Sequence, residues 1–223
     1  MNPYSAQTKN LLRPTWVGRL TGLALVAALL VPSTSCTSQQ NTGTSPAYLI
    51  INQLLAARGD EPDEMSGDLA SDVLTNNSIF ADPGQVTMEL ALKDPGSSTT
   101  PAKPTSMNFI TVTRYRVEYI RADGRNTPGV DVPFPFEGAV TFNVNEEDGG
   151  TANFTLVRIQ AKMEAPLMAL RRPTNQPPGG AIAISTIARI TFYGTDQAGR
   201  AVSVTGQIGV SFADWADPSG GRP

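Results

Sequence analysis

A chain of 223 residues with 40% apolar content is long enough for one domain with a proper core. Its 17% charged residues, with 20 Gly and 18 Pro, suit a turn-rich β fold better than a helical one. The net charge of −3 argues against non-specific nucleic-acid binding, and the absence of His removes the commonest general base, zinc ligand and Ser-His or Cys-His pair.

Residues 1–35 have the layout of a secretory signal. Lys9, Arg13 and Arg19 precede any acidic residue, and the apolar run Leu20–Val31 follows. That run falls short of the roughly 20 residues a membrane-spanning helix needs. Pro32 and the small residues Ser33, Thr34 and Ser35 then lead to Cys36, the sole cysteine, so no intrachain disulfide can form. The segment Ser33-Thr34-Ser35-Cys36 resembles the lipobox of bacterial lipoproteins, with Ser33 standing where Leu is usual. The resemblance implies a diacylglycerol thioether on Cys36 and a stable lipid anchor. Thr37 after the cysteine, in place of Asp, implies an outer-membrane address on its periplasmic or surface face. Ser33 and Ser35 also fit an ordinary signal-peptidase site, which would release a soluble protein. Residues 36–46 read as a polar tether.

Strand signals then follow one another. Ala47–Leu55 is apolar, and 69–74 with 78–80 suggest a short edge strand. Val86–Leu92 alternates with Val86, Met88, Leu90 and Leu92 on one face. In Phe109–Ile120, Tyr115, Val117 and Tyr119 face one way and Arg114, Arg116 and Glu118 the other. Phe136–Val144, Ala152–Lys162, Ala181–Tyr193 and Ala201–Phe212 continue the pattern, the last two as a hairpin with a five-residue loop containing Gly199. Ala161–Leu170 reads as a short helix or an irregular crossover. The expected fold is all-β, a two-sheet antiparallel sandwich of seven to eight strands over 47–217, with 218–223 as a disordered tail. From Tyr48 onward the pattern resembles immunoglobulin or fibronectin type III sandwiches, without the Cys…Trp…Cys framework of antibody-type domains.

Candidate sites are few. Asp60, Glu61, Asp63, Glu64 and Asp68 place five carboxylates in one loop, and calcium takes six to eight oxygen ligands. Their spacing is not that of an EF-hand, and a solvated acidic turn accounts for them equally. Arg58-Gly59-Asp60 spells an integrin-type tripeptide, but a tripeptide carries little information, and a strand-ending turn that uses Gly is the preferred reading. Arg114, Arg116 and Arg121 could hold an anion, although alternating charge on a solvent face is ordinary. Trp215 is expected to cap one end of the domain. No catalytic residue and no cofactor other than calcium is indicated. The expectation is a non-enzymatic, lipid-anchored envelope or surface protein acting in binding, adhesion or envelope assembly. It would contact the membrane through its anchor, and an envelope protein or glycan through its loops. The alternatives are a calcium-stabilised extracellular domain and a carbohydrate-binding or carbohydrate-active module. The latter needs exposed rings at Tyr115, Tyr119 or Tyr193.

Overall fold

The computed structural model describes residues 44–171 and 183–215. Eight strands form two sheets: β1 (Ala47–Ala56), β2 (Asp68–Asp72), β3 (Asp82–Leu92), β4 (Ile110–Ile120), β5 (Phe136–Val144), β6 (Gly150–Val157), β7 (Ala183–Asp196) and β8 (Ala201–Ala213). One sheet has the order β1-β3-β6 and the other β2-β8-β7-β4-β5. The all-β expectation holds, with two corrections. The sheets are not wholly antiparallel, because β2 runs parallel to β8, pairing Leu69 with Val210. Nor is the sandwich closed: three strands cannot cover five, so the smaller sheet is open and the larger curls as a half-barrel.

Period-two alternation puts Val86, Met88 and Leu90 of β3 against Val117 and Tyr119 of β4, Ile190 and Phe192 of β7, and Val210 and Phe212 of β8 in one core. At the bulge between Val112 and Arg114, one extra residue resets the phase of β4. Ile110 and Val112 therefore point inward along with Tyr115. The rings of Tyr115 and Phe154 meet edge-on at 5.1 Å, and those of Phe154 and Phe192 at 5.3 Å, joining the two sheets. Such pairs contribute about 0.5–1.5 kcal/mol each beyond their buried area. Gly138 leaves room for Tyr115, since a Cβ there would stand 2.6 Å from Tyr115 Cε1. Gly206 similarly admits Ile51 of β1 over β8.

The strand expected over 152–162 ends at Val157. Ile159–Met163 turn into a short helix, α1, and a 3₁₀ turn follows at Leu167–Leu170, in agreement with the crossover expected at 161–170. Gln, Ala, Lys and Met are good helix formers, and Pro166 ends the run. The β7–β8 hairpin turns through Asp196–Arg200, with Gly199 at φ 76° donating its N–H to the Asp196 carbonyl.

Register fixes two ends of the domain. Ala47, Leu92, Ile110 and Asp196 lie at the near end, where residues 44–46 enter. Ala56, Asp82, Ile120, Val157 and Ala213 lie at the far end, about 30 Å away along β1. The loops 57–67, 73–81 and 121–135 emerge at the far end, together with α1.

Candidate functional site

The polar centre of the molecule lies under the far end, on residues that the sequence did not single out. Asp82, the first residue of β3, is wholly buried and accepts three hydrogen bonds. Lys162 Nζ of α1 donates to Oδ1 at 2.8 Å, Gly59 N–H donates to Oδ1 at 2.9 Å, and Ser71 Oγ of β2 donates to Oδ2 at 2.6 Å. A single carboxyl thus joins the loop after β1, strand β2 and helix α1. Burial pushes the Asp82 carboxyl up from its ordinary value, and Lys162, Ser71 and Gly59 pull it back only in part.

Next to it, Asp72 gathers a second set of donors. Its Oδ2 takes Thr75 Oγ1 at 2.9 Å and Arg58 Nη2 at 3.3 Å, and its Oδ1 takes Trp215 N–H at 3.1 Å. Arg58 also grips Asp60 Oδ2 at 3.0 Å. The Arg and Asp of the tripeptide are thus paired with each other, and Arg58 is further tied to the fold. This favours the structural turn over the integrin-type reading.

Of the acidic loop, Asp60 faces Arg58, and Glu61, Glu64 and Asp68 border a shallow depression of about 220 Å³. Asp63 is exposed and does not border it. Among the described residues no group of three His, Cys, Asp or Glu side chains is placed to share a metal ion.

The tyrosines fall inside. Tyr115 and Tyr119 are 4% exposed, and each spends its hydroxyl across the sheets. Tyr119 donates to the Leu156 carbonyl at 2.7 Å, and Tyr115 accepts from Thr155 N–H at 3.1 Å. Burial, then the Asp82 charge, push the Tyr119 phenol far above its ordinary value. Tyr193 is half-buried beneath Arg114, whose guanidinium lies 4.0 Å from the ring centroid. The arrangement offers no open aromatic platform at these three positions, which removes the feature the carbohydrate reading required.

The arginine face is self-neutralised. Arg114 pairs with Glu137 at 3.1 Å, Arg116 with Glu118 at 2.8 Å, and Arg121 with Asp123 at 2.6 Å. Such exposed pairs contribute little stability and leave little free charge for an anion.

Apolar exposure is uneven. Phe80, Ile159, Met163, Met168 and Trp215 are all exposed around the far end, and Val130 and Phe134 protrude from its loop 121–135; Val130 is 68% and Met163 54% exposed. At the near end the loop residue exposed in this way is Met107. Trp215 stands at the end of β8 as expected of a capping residue, with its ring 38% exposed.

Cys36 and the signal-like segment lie outside the described residues, as do 216–223. Among the described residues no helix is long and apolar enough to cross a membrane. No protein-family model, curated protein or solved structure matches the chain.

Proposed function

We propose that this protein is exported, anchored in the bacterial envelope through lipid on Cys36, and presents the far end of its β domain to a protein partner in a non-enzymatic binding role. The observation that carries the binding role is the concentration of exposed apolar side chains at that end. Where such residues are contiguous they mark interaction sites. Asp82 ties down α1, which carries Ile159 and Met163, and Asp72 holds the backbone of Trp215. Residues 44–46 enter the domain at the opposite end.

The strand order supports an immunoglobulin-like assignment within this reading. Taking β1, β3 and β6 as strands A, B and E, and β4, β5, β7 and β8 as C, C′, F and G, gives the orders A-B-E and G-F-C-C′, with β2 as an added edge strand beside G. Tyr115 on β4 takes the central place held in antibody domains by Trp on strand C.

A photo-crosslinking amino acid at Met163, compared with one at Met107, tests the proposal in native envelopes. Crosslinking at Met163 to one protein in stoichiometric amount, with none at Met107, is the expected result. Equal labelling at both positions, or recovery of lipid alone at Met163, would contradict it.

A further inference from the structure

Lys162 Nζ and Asp82 Oδ1 meet at 2.8 Å, with each side chain 1% exposed. The geometry points to a covalent fate for this pair: condensation of the Lys162 amine with the Asp82 carboxyl into an intramolecular amide that cross-links α1 to β3.

The protonation state favours it. An ammonium group offers three N–H donors, and the acceptor that meets Nζ among the described residues is Asp82 Oδ1. Burial pushes the Asp82 carboxyl up, toward the neutral acid that the condensation consumes. Moving one proton from nitrogen to oxygen leaves a neutral amine beside a neutral acid, which is the reactive combination.

The surroundings supply the remaining requirements. Ser71 Oγ–H and Gly59 N–H donate to the two carboxyl oxygens, where negative charge grows as Nζ adds to Cγ. Cγ, the atom to be attacked, is bonded to the Oδ1 that Nζ meets at 2.8 Å. Both side chains are 1% exposed, so bulk water has little access to reverse the condensation.

Atoms and protons balance without a further reagent. The Nζ–Cγ bond forms and one Cγ–O bond breaks. Relative to the ammonium, nitrogen gives up two protons, both to Oδ1, the oxygen that Nζ meets. The first converts the carboxylate to the acid, and the second lets Oδ1 depart as water while Ser71 holds Oδ2, which becomes the amide carbonyl oxygen. Water leaves, and no atom changes oxidation state. The link closes a stretch of 80 residues in a chain whose single cysteine allows no internal disulfide. Like a disulfide it restricts the unfolded chain, and unlike one it survives reduction.

Tryptic mapping of the denatured full-length protein tests this directly. Asp82 lies in peptide 59–93, and Lys162 is the cleavage site inside 159–171. The expected product is a branched peptide joining 59–93 to 159–171, lighter than their sum by one water. Fragmentation should place the branch at Asp82 and Lys162, and the Lys162→Arg protein should lack the product. Full recovery of linear 59–93 together with cleaved 163–171 would overturn the inference. A branch on another acidic residue of 59–93, or one that persists in Lys162→Arg, would overturn it equally.

Discussion

Tyr119 Oη donates a 2.7 Å hydrogen bond to the Leu156 carbonyl, tying β4 of the five-stranded sheet to β6 of the three-stranded one through the core. Tyr119→Phe keeps the ring, which packs edge-on against Phe212 at 5.6 Å, but leaves that carbonyl without its donor. The loss should be about 1–3 kcal/mol in urea unfolding, the cost of an unsatisfied buried acceptor. An unchanged midpoint would mean that the sheets are held by apolar packing alone.

Two glycines separate conformational need from mere presence. Gly199 sits at φ 76° in the β7–β8 turn, a region that costs an L-residue about 1–2 kcal/mol. Gly67 has no positive φ and open space where a Cβ would go. Gly199→Ala should therefore destabilise by that amount, whereas Gly67→Ala should shift stability by no more than about 0.5 kcal/mol. Parallel thermal melts compare them, and equal effects would contradict the assigned turn.

The acid limb of stability should carry a contribution from Asp123. Arg121 donates to its carboxylate from Nε at 3.1 Å and Nη2 at 2.6 Å, and Arg125 N–H donates at 3.1 Å, holding the group well below its ordinary 3.8. A carboxyl depressed in the folded state stabilises fully above its unfolded value, and that stabilisation fades as pH falls through the folded value. Asp123→Asn should thus lower the neutral plateau and flatten the fall below pH 3.8, so that variant and parent converge in acid. A variant whose acid limb matches the parent would show that these contacts do not persist in solution.

The strands were legible because alternation is local. Val86, Met88 and Leu90 mark an inward face without knowledge of the rest, and so do Tyr115, Val117 and Tyr119. The parallel pairing of β2 with β8 was not legible. Asp68–Asp72 is five residues long, and its partner Gly209–Ala213 lies far along the chain. The start of the helix at Ile159 was hidden for a related reason: Leu156, Val157, Ile159 and Ala161 continue an apolar run in which a change of period is hard to see. Least legible was the Asp82–Lys162 pair, because nothing local to either residue names the other. The one hint is a Lys set among the apolar residues of the crossover. The acidic loop drew attention through density of charge, yet Asp72 and Asp82, each standing nearer to apolar neighbours, do the structural work at the far end.

Calcium offers a direct check on that loop. Since no three acidic side chains among the described residues converge, millimolar calcium should leave the melting temperature unchanged. A ligand raises stability only by binding the folded state. A rise that disappears in Asp63→Asn would place a cation among Asp60, Glu61, Asp63, Glu64 and Asp68 after all.

The central claim is that the domain is held at a membrane by lipid on Cys36. Fractionation of cells expressing the parent and the Cys36→Ala protein, followed by labelling with a radioactive fatty acid, tests it most directly. The account predicts labelled, membrane-bound parent protein, and variant protein that is unlabelled and absent from the membrane fraction as a lipoprotein. Equal membrane retention of the two, or a parent protein that is soluble and takes up no label, would contradict it.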